Sequence, residues 1–290
     1  GNLAGEEYTN LAEFLNGTDP TDGDSDGDGM SDGWEVFWNF QPLNSSDAFS
    51  DPDNDTLINL HEYNNSHIDG FDDNVISPDT IFGSNPMLPD TDGDLIEDGE
   101  ECYLGLDGYV TDPSNPDSDD DGMPDGWEFL NELDPFGPSD ADEDLDEDGW
   151  DFNRNGTIES WEKFTNFEEY LNGTDPRDND TDGDGMPDGW EGYYGLNPRS
   201  SEDADWDTDS DGYDADGDGE ISPGEKFTNY EEFLMDSNPS QADTDGDNCT
   251  DGWEIYWNNN RPENETRILD LLNSEDGFLD YDDDGWRDWN

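Results

Sequence analysis

Apolar residues in this chain come in short clusters, each followed within a few positions by Gly, Pro or Asn, and no long amphipathic period develops. The clusters predict short helices with firm stops. Leu11, Phe14 and Leu15 share a helix that ends at Asn16-Gly17 and Pro20. Trp34, Phe37 and Trp38 mark a second before Pro42, with the two Trp four apart on one face. EKFTNFEEYLNGTDP from Glu162 and EKFTNYEEFLMDSNP from Glu225 predict two more helices of one pattern. Residues 63–89 fit no such pattern: NVISPDTIFGSNP holds too much Pro and Gly for a helix and predicts one short extended strand. CYLGLDGYVTDPSNP, after Glu101, predicts irregular or hairpin structure.

Between the clusters the polar positions are strongly patterned. DTDGDGMPDGWE, from Asp180 to Glu191, has near-copies starting at Asp24, Asp90, Asp117 and Asp243. Counted from its first Asp, each copy places oxygen-bearing side chains at positions 1, 3, 5, 9 and 12, the ligand spacing of an EF-hand-type calcium loop. A turn at position 6 brings in the backbone carbonyl of position 7. The predicted ligands are therefore Asp180, Asp182, Asp184, Met186, Asp188 and Glu191, with Gly185 at the turn. In the other copies they are Asp24, Asp26, Asp28, Met30, Asp32 and Glu35; Asp90, Asp92, Asp94, Ile96, Asp98 and Glu101; Asp117, Asp119, Asp121, Met123, Asp125 and Glu128; and Asp243, Asp245, Asp247, Cys249, Asp251 and Glu254. Asp188-Gly-Trp-Glu191 also has capping-box spacing, so position 9 reads equally as a helix cap, and both roles can hold at once.

A second loop type lacks the Trp. It comprises Asp51, Asp53, Asp55, Leu57 and Glu62; Asp151, Asn153, Asn155, Thr157 and Glu162; and Asp214, Asp216, Asp218, Glu220 and Glu225. Gly156 and Gly219 take the turn, whereas Thr56 replaces it in the first copy, as Leu95 does in the Asp90 loop. Ahead of the two regular copies lie acidic runs, Asp144, Asp146 and Asp148, and Asp207, Asp209 and Asp211. A further run is Asp280, Asp282 and Asp284. The runs share the spacing of positions 1, 3 and 5 and read either as additional ion sites or as solvated acidic linkers.

The pattern has a period. Trp127, Trp190 and Trp253 are 63 residues apart, as are Asp151 and Asp214. Each unit is loop, helix, loop, helix, so the predicted fold class is short α-helices and irregular calcium-binding loops in an elongated tandem array, with small aromatic cores and little β. The divisions read from the sequence are 1–62 (first loop-helix units), 63–89 (irregular insert), 90–150 (two GWE-type loops), 151–213 (repeat unit) and 214–290 (repeat unit with a truncated end). The Trp after each loop (Trp34, Trp127, Trp190 and Trp253) is expected to be buried against the helix of a neighbouring loop, near Phe or Tyr such as Phe167 and Tyr170.

Composition sharpens this reading. With 84 Asp and Glu against 8 Lys and Arg, a net charge of -76 and 28% hydrophobic residues, such a chain would ordinarily be disordered. Yet it carries 11 Trp and 12% aromatics, which makes sense if cations neutralise the carboxylates so that the aromatics can pack. The expected cofactor is calcium, about eight ions or more, with the chain folded in its presence and largely unfolded without it. No basic face exists for nucleic acid, and no run of 18 apolar residues exists for a membrane span. Asn16, Asn44, Asn54, Asn64, Asn155, Asn172, Asn179, Asn248 and Asn264 stand in N-x-Ser/Thr sequons, candidates for N-glycans in a secreted protein, although turn-rich sequence also makes NGT and NDT readily. Cys102 and Cys249 are too few for a disulfide scaffold.

DTDGDGMPDGWE resembles the calcium motifs of thrombospondin type 3 repeats and related prokaryotic surface proteins, and DADGDGEISPGE from Asp214 is similar to EF-hand and dockerin loops. The resemblance implies extracellular or cell-surface location and rod-like, calcium-stabilised structure. It is specific for calcium and much less so for function, since animal type 3 repeats are disulfide-linked whereas this chain has two cysteines.

Catalysis is not expected. The only histidines are His61 and His67, HEYNN lacks the second His of a zinc-protease helix, and no nucleophile-elbow Ser or phosphate loop occurs. Three functions remain: an extracellular structural or assembly protein such as a filament, surface-layer or spacer component; a dockerin-like, carbohydrate- or protein-binding adhesive module; and a calcium buffer. Gly1, Leu3 and Glu7 fit positions 6, 8 and 12 of a second-type loop, while Asp288-Trp-Asn290 resembles its first three positions. The ends together would make one loop, lacking only positions 4 and 5. This fits either a window from a longer tandem polypeptide or head-to-tail self-association.

Overall fold

The computed structural model describes residues 8–64, 66–68, 76–81, 84–103, 108–261 and 268–277. The expectations for Gly1 to Glu7, for Asp280, Asp282 and Asp284, and for residues 288–290 fall outside these. The chain divides into two compact units, Gly1–Ala141 and Asp142–Asn290.

The first unit contains α1 (Asn10–Asn16), α2 (Asp32–Phe37), α3 (Asn59–Asn64), α4 (Asp98–Glu101) and α5 (Asp125–Leu130). The second contains α6 (Asn166–Asn172), α7 (Asp188–Tyr194), α8 (Asn229–Met235) and α9 (Asp251–Asn260). β1 (Ser66–Ile68) and β2 (Ile76–Ile81) form an antiparallel pair with an irregular register, so the extended strand expected within 63–89 is present and has a partner. The fold is thus mainly short helices with little β.

The helices are short because their ends are specified. α6 and α8 open with full capping boxes, Thr165 with Glu168 and Thr228 with Glu231, and close on left-handed Gly173 and Asp236. α1 has the same Thr cap, Thr9, and the same left-handed close, Gly17. In α7 the cap is Pro187 and makes no side-chain bond, so Asp188 is the first helical residue and not the cap. Its carboxylate points back into its own loop instead, accepting from Thr181 N (2.9 Å) and Thr181 Oγ1 (2.6 Å).

Position 6 has positive φ in all eight 12-residue loops, from +78° at Asn248 to +101° at Gly122. Thr56 (+83°) and Leu95 (+88°) hold this conformation against their Cβ atoms. Position 4 is left-handed as well, and the two acidic runs share the feature at Glu147 (+62°) and Ser210 (+65°). By backbone shape the runs are therefore loops and not extended linkers.

Apolar burial is local. The side chains of Met30, Met123 and Met186, each at position 7, are completely buried, and Leu57, Ile96 and Cys249 are nearly so. In the second unit Met186, Trp190 and Ala204 form a core joined by Trp150, Phe152, Tyr194, Leu196 and Phe233. Trp190 is fully buried, with Tyr194 and Phe233 edge-on at 4.9 and 5.3 Å. Its neighbouring-helix partner is thus Phe233 of α8, whereas Phe167 and Tyr170 lie beside each other on α6. Trp34, Trp127 and Trp253 are half-buried; Trp34 meets Tyr63 of α3 at 5.3 Å.

Two substitutions test this account by denaturant unfolding in saturating calcium. Trp190→Ala is expected to cost about 3–5 kcal/mol, as for a fully buried large aromatic, against within about 0.5 kcal/mol for Trp206→Ala at an exposed site. Leu95→Gly is expected to stabilise by about 1 kcal/mol by relieving the left-handed turn; a loss would show that the Leu95 side chain contributes more than its backbone strain costs.

Candidate metal centres

In the loops that start at Asp24, Asp180 and Asp243 the backbone uses one oxygen of the carboxylates at positions 3 and 5 and leaves the other. In the Asp180 loop, Asp180 accepts the amides of Gly183, Asp184 and Gly185. Asp182 Oδ1 accepts Asp184 N (3.1 Å) and Asp184 Oδ1 accepts Met186 N (2.8 Å). Asp182 Oδ2 and Asp184 Oδ2 are buried with no hydrogen-bond partner, as are Asp26 Oδ2, Asp28 Oδ2, Asp245 Oδ2 and Asp247 Oδ2 at the same positions. The position-12 glutamates complete the pattern. Glu35, Glu128, Glu191 and Glu254 are 0% exposed, and both carboxylate oxygens of each lack a partner. Asp24, Asp26 and Asp28 have carboxylate oxygens within 4.8 Å of one another, and so do Asp51, Asp53 and Asp55.

The clusters draw on residues that the spacing rule did not identify. Asp28 and Glu35 are joined by Asp47, from the short 3-10 turn Asp47–Phe49. Asp140 and Asp203 occupy the corresponding places beside Glu128 and Glu191, near enough for their charge to raise those carboxyls. Each lies twelve residues after its glutamate within a recurring Asp-Ala pair, the signal that could have revealed them. Asp276 serves Glu254 from twenty-two residues away. In the Asp90 loop Thr111 Oγ1 donates to Glu101 Oε1 (2.9 Å) instead.

The acidic runs belong to clusters of their own. Asp148 N bonds to Asp144 Oδ1 (3.2 Å) and Asp211 N to Asp207 Oδ1 (3.1 Å), as Asp184 N does to Asp180. Their twelfth-position equivalents are Glu169 on α6 and Glu232 on α8, both 0% exposed. Glu169 faces Asp146, Asp148, Asp188 and Asp144, and Glu232 faces Asp209, Asp211, Asp251 and Asp207. The Asp51 loop is the uninterrupted form. Asn59 N bonds to Ser50 O and its Nδ2 to Asp47 O, while Asn229 N bonds to Trp206 O and its Nδ2 to Asp203 O. Asp51 and Glu62 are eleven residues apart, but Asp144 and Glu169 are twenty-five apart. The loops Asp151–Glu162 and Asp214–Glu225 are therefore insertions, each closed at its base by a backbone bond, Trp150 N to Glu162 O and Tyr213 N to Glu225 O. Residues 153–158 and 215–224 are exposed. The recurring Asn-x-x-Glu of 59–62, 166–169 and 229–232 was the overlooked signal.

Position 9 does not simply serve its own loop. Asp98 lies with Asp55 and Glu62 of the preceding cluster, their oxygens within 4.8 Å. The following glycine explains the geometry. Gly189 N donates to Asp148 Oδ2 (2.7 Å), and Gly252 N donates to Asp211 Oδ2 (2.7 Å). A Cβ on Gly252 would sit 2.5 Å from the Asp211 carbonyl oxygen, so only glycine admits this approach.

Cys102 and Cys249 are free, buried thiols. Burial pushes the Cys102 thiol up to about 12, which keeps it protonated. No helix among the described residues is long and apolar enough to cross a membrane. No family model, curated protein or solved structure matches the chain.

The donor set decides which cation would fit. The side-chain donors are overwhelmingly carboxylate, amide and hydroxyl oxygens; the one sulfur among the groups described is that of Cys249, beside Asp247 and Glu254, and the nearby imidazole of His61 is bonded to the Tyr103 hydroxyl. That suits a hard divalent cation with six to eight oxygen ligands and not zinc. Without a cation the clusters must hold protons. Burial first, then the neighbouring aspartates, push Glu191 and Glu169 to about 9 and Glu232 to about 10. A carboxyl whose folded value is raised favours the fold below its unfolded value, near 4.3, and this contribution is lost as pH rises toward the folded value. In chelator, helical circular dichroism is therefore expected to be stronger at pH 5 than at pH 8. In excess calcium the order reverses, because protons then compete with the ion.

Proposed function

We propose that the chain is an extracellular or cell-surface structural protein whose loops and helices are held together by calcium, of the thrombospondin type 3-like kind with interleaved EF-hand-like loops, and that it works as a spacer, filament or surface-layer component. The observation that carries this reading is the set of fully buried glutamates, Glu35, Glu128, Glu169, Glu191 and Glu254, whose carboxylate oxygens have no donor. Unpaired buried charge is strongly destabilising, and 8 Lys and Arg cannot neutralise 84 acidic side chains. Arg154 pairs with Asp236 at an exposed site.

Calcium, at about eight ions or more, accounts for both the charge and the unpaired oxygens. The ligands include carboxylates of Asp28, Glu35 and Asp47, of Asp55, Glu62 and Asp98, and of their counterparts along the tandem array. Millimolar extracellular calcium suits such sites, with affinities of about 10⁻⁴ to 10⁻³ M. The buried Trp190 and its ring contacts favour a structural part over a calcium buffer, which needs loops but no aromatic core. Carboxylate pairs recur throughout the clusters, so none stands out as a general acid and base, and bound calcium would hold most of them ionised, which favours a non-catalytic role.

The test is reversible metal removal. Chelation is expected to abolish far-ultraviolet helical signal and near-ultraviolet Trp signal at pH 8 and low salt, with calcium restoring both. A chelated chain that keeps its near-ultraviolet signal under those conditions would overturn the reading.

A further inference from the structure

One loop departs from the all-oxygen pattern. At position 7 the five loops of the first type carry Met30, Ile96, Met123, Met186 and Cys249. The backbone of the Asp243 loop repeats that of the others. Cys249 N donates to Asp247 Oδ1 (2.7 Å) as Met186 N does to Asp184 Oδ1 (2.8 Å), and Asn248 holds the left-handed turn that Gly185 holds in the Asp180 loop. Cysteine in place of methionine therefore changes the side chain and not the loop. Met186 belongs to the core with Trp190 and Ala204. The Cys249 sulfur is bonded directly to its Cβ and stays at the loop, where it lies with a carboxylate oxygen of Asp247 and one of Glu254, the three atoms within 4.8 Å of one another.

A buried reduced cysteine is ordinarily a small hydrophobe in apolar surroundings. Cys249 is buried, 1% exposed, but its neighbours are not apolar. Glu254 is 0% exposed and both of its carboxylate oxygens lack a hydrogen-bond partner; Asp247 is 1% exposed and its Oδ2 lacks one as well. Asp245, whose Oδ2 is likewise buried and unpartnered, and Asp276 lie near enough for their charge to raise the Glu254 carboxyl. Desolvated carboxylates facing a thiol need a cation, and the spread of the three donors is about the span of one coordination shell.

The sulfur decides which cation gains most. Calcium draws its ligands from oxygen, whereas thiolate is the donor that zinc and softer divalent ions prefer. Three protein donors are also the count with which zinc keeps a further position for water. We propose that Asp247, Cys249 and Glu254 form a mixed sulfur and oxygen site that takes a thiophilic divalent cation of the zinc and cadmium class, in a loop whose counterparts take calcium. On binding, the Cys249 S–H bond is exchanged for a metal–sulfur bond and the proton leaves to solvent. This rests on the reading of the loops as cation sites but not on calcium as the cation.

The experiment is a cadmium titration of the full chain in millimolar calcium, followed by the sulfur-to-cadmium charge-transfer band in the ultraviolet, with helical circular dichroism recorded on the same samples. The parent is expected to develop the band, to saturate it at one cadmium per chain, and to lose it when excess zinc displaces the probe. Cys249→Ser preserves the size of the side chain, and Cys249→Met copies position 7 of the Asp24, Asp117 and Asp180 loops. Both should keep the helical signal in calcium and lose the band entirely, whereas Cys102→Ser should keep the two. A parent that folds in calcium but gives no band would overturn the proposal, as would a band that survives in Cys249→Ser or Cys249→Met, or one that excess zinc leaves unchanged. A helical signal indifferent to calcium, together with a band that needs Cys249, would overturn the calcium reading alone.

Discussion

A carboxylate buried without a donor is the constraint on which the rest of this structure depends. Desolvating one ion costs several kcal/mol even after the protein relaxes, and each cluster gathers three or more. In the Asp180 loop the backbone satisfies Asp182 Oδ1 and Asp184 Oδ1 but leaves their second oxygens and both of Glu191 buried and unpartnered, with the Glu191 carboxyl raised by Asp184, Asp182 and Asp203. Protons can take the place of the missing donors at low pH, and a divalent cation can do so at neutral pH. The apolar contribution is small: Met186 and Trp190 are buried, while Leu171, Leu234 and Trp206 remain exposed. With calcium in that place, as proposed, ion-binding free energy becomes folding free energy.

The clusters are also stitched in series within each unit. In the second, Asp148 accepts the Gly189 amide in the first turn of α7, Glu191 of α7 meets Asp203, and the Asp203 carbonyl holds Asn229 of α8. Asp211 in turn accepts the Gly252 amide of α9. A residue such as Asp203 thus serves one cluster through its side chain and positions the next through its backbone. Filling one cluster orders the donors of its neighbour, so calcium uptake within a unit is cooperative on this account.

Much of this was legible in the sequence, for a physical reason. An Asp-x-Asp-x-Asp run encodes its own turn, since position 1 accepts the amides of positions 4 to 6, and these bonds need nothing from elsewhere in the chain. Helix ends were legible too, because Thr165 with Glu168 and Thr228 with Glu231 are local signals. What escaped was non-local. Asp47, Asp203, Glu169 and Glu232 reach their clusters from other segments, and Glu169 was hidden because an entire exposed loop interrupts the spacing that would have identified it. The preference of Trp190 for Phe233 over Phe167 or Tyr170 likewise depends on which helix the neighbouring loop delivers. Position 9 looked like a ligand of its own loop, whereas Asp98 lies with Asp55 and Glu62, because the close approach of glycine to a preceding carbonyl sets where that helix starts.

The central claim is that a cation sits where the unpaired oxygens converge. Crystals of the calcium-loaded chain, with diffraction recorded at a wavelength where calcium scatters anomalously, locate such ions directly. The account predicts anomalous peaks among Asp182, Asp184, Glu191 and Asp203, and among Asp146, Asp148 and Glu169. Peaks confined to the exposed loops at Asp151–Glu162 and Asp214–Glu225, with none at the buried glutamates, would contradict it.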